Sequence, residues 1–255
     1  RPTLIPMLGA ATAANLKHER SVRLFEIASV YLPDAEATLP DERGTLGLVV
    51  AGDRNPLSHF PSTSGDDQLD FFDLKGIVQS VLDRTGARAA VWEASRHPAL
   101  HPGRTARVEL GGQAVGIAGE LRPEIAAAAG IEEARVGVAE LDLAALRSLL
   151  EGDVTSTVAV PRFLPVQQDF AVVVDAATPA ADVERALLTG AGPLATDITL
   201  FDVFTGEQIG AGRKSLAYRV TFTAPDRALT DAELGRVRKR IQRVLTDRVQ
   251  GTLRT

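Results

Sequence analysis

Asp202, Phe204 and Ser215 are the residues whose types and spacing could do chemistry in this sequence. Asp202 and Phe204 stand two apart in a run, ITLFDVF, that reads as part of a β-strand over 196–204. A spacing of two sets both side chains on one face of a strand. Ser215 falls on the next strand, 214–223, across the turn TGEQIGAG. A carboxylate accepts from a base N–H, a ring stacks on a base, and a hydroxyl donates or accepts. Arg213, Lys214 and Arg219 add cations suited by charge to phosphate or sugar contacts. Together these are the groups that hold a single-stranded nucleic-acid loop. On the residues alone the plainer reading is the preferred one, in which Phe204 is an ordinary core aromatic, since aromatic side chains usually pack.

Other candidate chemistry is weaker. His97 and His101 are four apart, but Pro98 and Pro102 beside them oppose the helix that would aim both at one metal. They read as loop histidines. Glu26, Asp70 and Asp73 have carboxylates but no spacing that singles them out as acid and base, and capping or ion pairing accounts for them. The stretch GGQAVGIAGE is a hairpin signal: its glycines precede strands, whereas a phosphate loop opens a helix. No Gly-rich strand-to-helix string ends in an arginine placed to neutralise ATP phosphates. The basic residues Arg236, Arg238, Lys239, Arg240 and Arg243 read as the solvated face of a helix.

The chain has 255 residues, 45% hydrophobic and 24% charged, which is globular and long enough for one large domain or two ordinary ones. The net charge of −5 is uneven. Residues 1–160 hold 15 Lys/Arg against 22 Asp/Glu, a balance of −7, and residues 161–255 hold 13 against 11, a balance of +2. That split suggests two domains with different partners, though +2 is far from the charge of a strongly basic nucleic-acid domain. The absence of cysteine excludes disulfides, thiolate metal sites and cysteine nucleophiles, and fits a cytoplasmic protein. No apolar run is long enough to predict a membrane span. The start, RPTLIPMLG, has neither an initiator Met nor a signal-peptide pattern, so the chain reads as a piece of something longer.

These groups need elements to position them. The pattern predicts a helix over 3–16, strands over 22–32 and 45–51, and a helix over 70–84 with Phe71, Leu74, Val78 and Leu82 on its apolar face. Strands over 104–110 and 113–120 flank Gly111 and Gly112, a hairpin signal. A short helix (124–129), a strand (135–141) and a helical run (143–150) follow. The first domain is therefore α+β, an antiparallel sheet with helices. A polar, β-branched segment at 150–161 marks the boundary, giving domains of 1–155 and 156–255. The second domain reads β-α-β-β-α-β: strand 169–174, helix 179–189 with Thr178 as N-cap and Pro179 first, strands 196–204 and 214–223, a helix from Thr230, and a last strand near 251–254. Thr230 and Glu233 form a capping box, with Val237, Ile241, Val244 and Leu245 as the buried stripe. This order is the ferredoxin-like one.

Longer strings carry a resemblance. FDVFTGEQIGAGRKSLAYRVTFTAPDRALTDAE (201–233) is similar to the pattern FDxY, Gly-containing turn, KSLAYR, DRTLTDEE in the anticodon-binding domain of the bacterial phenylalanyl-tRNA synthetase β subunit. PRFLPVQQDFAVVV (161–174) resembles that family's PRFPAVRRDLALVV. In the first domain, LFEIASVYL (24–32), DFFDLKG (70–76), HPGRTARV (101–108) and GIAGELRP (116–123) resemble family segments, in the same order. Four positions depart: Gln168 stands for the Arg of an R-D pair, Arg122 for a His, Ala228 for a Thr, and Phe204 for a Tyr, which costs a phenolic hydroxyl but keeps the stacking face.

The resemblance implies a class II synthetase-like module without activity (1–155), followed by a ferredoxin-like anticodon-binding domain (156–255). It implies that Asp202, Phe204 and Ser215 contact the first anticodon base. It implies partners: a catalytic α subunit, in a heterotetramer of two α and two β chains, and the anticodon loop of tRNA(Phe), with no membrane. It also implies that neither the aminoacylation site nor the editing site lies in this chain. ATP and Mg²⁺ would be used by the parent complex, with no cofactor in this fragment. The helices at 3–16 and 70–84 are apolar enough to bury partly against a second subunit. One other class shares the β-α-β-β-α-β order: an amino-acid-sensing regulatory protein, for which a closed pocket would replace an exposed Asp202/Phe204 pair.

Overall fold

Residues 45–52 are buried on both sides of one strand, so helices must cover both faces of the sheet that holds it. The computed structural model describes residues 1–34, 37–57, 67–87, 90–150 and 163–254. Its backbone divides into two units, Arg1–Ser156 and Thr157–Thr255. Beyond Leu150, the segment where the sequence reading sets the boundary lies outside the described residues.

In chain order the first unit holds α1 (Ile5–Leu16), β1 (Ser21–Leu32), β2 (Asp41–Gly52), α2 (Phe71–Thr85), β3 (Val91–Ala94), β4 (Leu100–Leu110), β5 (Gln113–Leu121), α3 (Pro123–Ala128), β6 (Val136–Asp142) and α4 (Leu143–Leu150). The strands form an antiparallel sheet ordered β1-β2-β6-β5-β4-β3. Leu46, Leu48 and Val50 of β2 pack with Leu74, Val78 and Leu82 of α2 and Leu146 of α4. Val49 and Ala51, on the other face, pack with Ile5 and Leu8 of α1 and Ala126 of α3. The predicted elements are all present, and β3 is one the sequence pattern did not show. Gly111 and Gly112 have φ of 58° and 81°, as a two-residue hairpin of the mirror-image type requires. Phe71 is only half-buried, edge-on to Trp92 with ring centres 6.4 Å apart, so the inner stripe of α2 is Leu74, Val78 and Leu82.

Local chemistry starts and stops these helices. The Asp70 carboxylate accepts from the Phe72 and Asp73 amides, and Asp73 accepts in return from the Asp70 amide at 2.9 Å. Gly86 ends α2 with φ of 94°. Helix α1 is held by a longer reach: Glu140 on β6 accepts from the Thr3 hydroxyl at 2.7 Å and the Leu4 amide at 2.5 Å.

The second unit holds β7 (Val166–Asp175), α5 (Ala180–Ala191), β8 (Ala195–Phe204), β9 (Arg213–Phe222), α6 (Asp231–Val249) and β10 (Thr252–Leu253). Its sheet is antiparallel in the order β10-β7-β9-β8, the ferredoxin-like arrangement. Phe170, Val172 and Val174 of β7 and Leu216, Tyr218, Val220 and Phe222 of β9 bury against α5 and α6. The capping box at Thr230 and Glu233 is present. At α5, Pro179 is itself the N-cap and no side chain caps the helix, so Thr178 does not play the expected role. The inner stripe of α6 is Leu234, Val237, Ile241 and Leu245, with Val244 half-buried beside it. Among the described residues, no helix is long and apolar enough to cross a membrane.

Candidate nucleic-acid interface

The helices of the second unit cover one face of its sheet and set which side chains remain outside. Leu216, Tyr218, Val220 and Phe222 point into the core, so Arg213, Ser215, Ala217, Arg219 and Thr221 point away from it. Tyr218 is fully buried and its hydroxyl donates to the Ala180 carbonyl at 2.7 Å, tying β9 to the start of α5. Burial, and then the charge of Glu184, push its phenol far above the usual range.

The three residues of the sequence reading converge on the open face. Phe204 stands directly opposite Ser215, and Asp202 opposite Ala217, two residues along each strand. Phe204 is 38% exposed, which a core aromatic would not be. Its ring lies over the Gly206 backbone, so closely that a Cβ on Gly206 would stand 2.7 Å from Cζ. Ser215 is 6% exposed, flanked by Phe204 on β8 and Val173 on β7. Among the described residues neither the Ser215 hydroxyl nor the Asp202 carboxylate has a protein partner. An aromatic ring, an exposed carboxylate and a nearly buried hydroxyl therefore occupy neighbouring positions on this face of the sheet.

The three cations fare differently. Arg213 has the open-face register at the sheet's end, but one Nη donates to the Val173 carbonyl at 3.3 Å and the residue lines a pocket with Asp182 and Arg185 of α5 and Arg248 of α6. Lys214 pairs with Val174 and shares the alternation of Leu216 and Tyr218, so it belongs to the helix-covered side and does not join the others. Arg219 is on the open face but is already engaged. It stands opposite Asp169 and donates to both of its carboxylate oxygens at 2.9 Å. Those hydrogen bonds hold the Asp169 carboxyl below its usual range and raise the Arg219 guanidinium. Gln168, at the position where an arginine was expected, pairs with Val220 and lies on the helix-covered side.

Phe201 is a neighbour the sequence reading missed. The register passes from Leu200↔Tyr218 to Asp202↔Ala217 and leaves Phe201 as the extra residue of a bulge. The Arg219 guanidinium lies 5.2 Å from the centre of its ring, and Phe201 is 51% exposed. Strict alternation would have sent Phe201 to the opposite side from Asp202. A bulge has no reliable mark in the sequence, although the closeness of two Phe in FDVF was the available signal.

Several other candidates resolve into structural roles. Arg240 donates to the carbonyls of Gly190 and, at 2.5 Å, Ala191, capping the end of α5. His97 and His101 each accept on Nδ1 from the amide two residues on, Ala99 and Gly103. Glu26 pairs with Arg1 at 2.6 Å. Asp70 and Asp73 cap α2 and pair with Arg54. No group of three or more His, Asp or Glu among the described residues is arranged to hold a metal.

Comparison with known proteins bears on both units. Residues 1–143 match the family described as the phenylalanyl tRNA synthetase beta chain CLM domain, and residues 161–254 match the ferredoxin-fold anticodon binding domain. The chain is 40% identical over 248 residues to a phenylalanine–tRNA ligase beta subunit of Symbiobacterium thermophilum, covering 96% of this chain and 27% of that one. It is 38% identical over 260 residues to the beta subunit from Moorella thermoacetica, covering 100% of this chain and 31% of that one. It is 32% identical over 257 residues to one from Bacillus cereus, again covering 100% and 31%. The chain thus spans about three tenths of the length of these relatives. Superposition on a pyrrolysyl-tRNA synthetase from Desulfitobacterium hafniense gives a TM-score of 0.45 at 19% identity, covering 60% of this chain and 50% of that one, too slight a likeness to argue from.

Proposed function

The chain belongs to the phenylalanyl-tRNA synthetase β-chain family, and from that premise we propose that it is the non-catalytic part of a phenylalanine–tRNA ligase that supports the catalytic subunit and reads the anticodon of tRNA(Phe). Residues 1–155 form the catalytic-like module and residues 156–255 the anticodon-binding domain. The observation that carries the reading is the open sheet face on which Asp202, Phe204 and Ser215 converge with no partners of their own among the described residues. Phe204 stacks on a base, Asp202 accepts from its edge, and Ser215 completes the set. Arg213, at the end of the same sheet, is the cation we assign to a phosphate by its charge. The exposure of Asp202 and Phe204 favours this function over an amino-acid sensor, which needs an enclosed pocket.

The first unit contacts a protein, the α subunit, in an assembly of two α and two β chains. Exposed apolar side chains support this: Phe72 on α2, and Phe25 and Ile27 on the edge strand β1, 70% and 64% exposed. The parent enzyme uses ATP together with Mg²⁺. The arginines of the first unit suit that role poorly, since Arg54, Arg104 and Arg107 are each tied to carboxylates. The ATP chemistry therefore belongs to the α subunit.

The test is a titration of the chain against two anticodon stem-loops, one carrying GAA and one scrambled, at low and moderate salt. Selective binding of GAA is expected. Equal binding that collapses with salt would reduce the contact to phosphate alone and overturn base reading.

A further inference from the structure

We propose that Phe201 is a second base-stacking platform, braced by Arg219 and Asp169, so that the open sheet holds two unstacked bases of one strand. The inference rests on the reading of this face as an RNA surface and adds a subsite to it.

The bulge is what makes the second platform. Phe201 and Phe204 are three residues apart, and a regular strand would turn them to opposite faces. The extra residue between Leu200 and Asp202 instead leaves Phe201 beside Arg219, an open-face residue, with half of its surface in water.

Arg219 is arranged to hold that ring. Both Asp169 oxygens take hydrogen bonds from it at 2.9 Å, while its guanidinium lies 5.2 Å from the Phe201 ring centre. A guanidinium with two of its donors taken by Asp169 has fewer to offer a phosphate, and it is held in place over the ring. Three strands thus contribute to one brace: Asp169 from β7, Arg219 from β9 and Phe201 from β8. A ring ordered in advance binds a base without the entropy loss of ordering it. Arg219 is in this account a positioning residue, not a phosphate contact.

Spacing lets one strand reach both rings. At about 3.3 Å per residue, the backbone positions of Phe201 and Phe204 are at most roughly 10 Å apart. That is at most about three steps of 3.4 Å, within the reach of neighbouring nucleotides. Side chains on one face of a sheet project side by side, so each ring takes its own base, with Asp202 between them in the chain. Sheets that bind single-stranded RNA use paired aromatics in this way.

The experiment measures binding of the full 255-residue chain to a GAA-containing stem-loop by fluorescence anisotropy, with each loop base replaced in turn by an abasic site. Phe201→Ala is expected to weaken binding of the intact loop by about 5- to 150-fold. The loop position whose removal no longer matters in Phe201→Ala is expected to differ from the one silenced in Phe204→Ala. Arg219→Gln should reproduce the Phe201→Ala footprint with the salt slope unchanged; a slope shallower by about 0.7 would mark a phosphate contact and overturn the brace. If Phe201→Ala melts early, Phe201→Tyr must keep wild-type affinity and Phe201→Leu must lose it. Wild-type affinity in Phe201→Ala at every position, with Phe204→Ala impaired, overturns the second platform alone. Equal wild-type binding of intact and abasic loops overturns the RNA reading of the face, and this inference with it.

Discussion

Replacing Gly206 by alanine asks whether the position of the Phe204 ring, and not only its presence, governs base binding. Gly206 has φ of −176°, extended backbone that any residue adopts, so the substitution brings no backbone strain. It brings a collision: the new Cβ would lie 2.7 Å from Cζ and 3.1 Å from Cε1 of Phe204, where ordinary contact begins at 3.4 Å. The ring, exposed and at the end of a strand, must move by about 0.7 Å, the shortfall of 2.7 Å from 3.4 Å. A gap of about 0.5–1 Å forfeits a quarter to a half of a dispersion contact. A base stack worth about 1–3 kcal/mol by alanine substitution then loses about 0.3–1.5 kcal/mol, roughly 1.5- to 13-fold in Kd. The fold itself should hold, since a Gly→Ala change at a compatible backbone position stabilises by about 0.4–1 kcal/mol through the unfolded chain. Anisotropy titration against the GAA stem-loop and a thermal melt, beside Phe204→Ala, separate the two quantities. Unchanged affinity in Gly206→Ala alongside a clear loss in Phe204→Ala would refute the claim that this contact sets the ring's position. A loss accompanied by a fallen Tm would refute the claim that the effect is confined to the face.

Two further outcomes follow from the packing and charges. Gly190→Ala would place a Cβ 2.6 Å from the Ile241 Cα, a backbone atom that cannot swing aside, so α5 and α6 must part; a loss of about 1–3 kcal/mol is expected, read as a lower urea midpoint, and an unchanged midpoint would contradict the close approach. Acid should destabilise the chain: hydrogen bonds from Arg219 depress Asp169, those at Thr230 depress Glu233, and Asp73 is depressed by its bonds to Arg54 and the Asp70 amide against the upward push of burial. Lowered folded pKa values mean that the folded state binds fewer protons, so this stability is present above the unfolded values of about 3.9–4.3 and is lost as pH falls through the folded ones. Urea midpoints that rise on acidification from pH 5 to 3 would contradict that sign.

Much of the scaffold was legible because its signals are local. The Thr230 and Glu233 capping box, the Gly111-Gly112 hairpin and the Leu74, Val78, Leu82 stripe each depend on residues within one or two turns of one another, and each forms. The errors fall where one element depends on a distant one. Strand β3 is four residues long with little apolar alternation, and it exists because β4 offers an edge to pair with. Thr178 has the chemistry of an N-cap, but the chain enters α5 through Pro179 and the hydroxyl is not used.

The site divides in the same way. Sequence alone determined that Asp202, Phe204 and Ser215 lie on two strands of a ferredoxin-like order, and their strings carried the family likeness. Tertiary structure decided which side of the sheet each residue serves. The helices cover the Leu216–Tyr218 side, which leaves Ser215 outside and removes Lys214 from the set. Pairing across β7 commits Arg219 to Asp169, and the bulge brings Phe201 to the open face. Side-chain alternation has a period of two, so one extra residue, or one partner strand far away in the chain, reverses or redirects what a local pattern specifies.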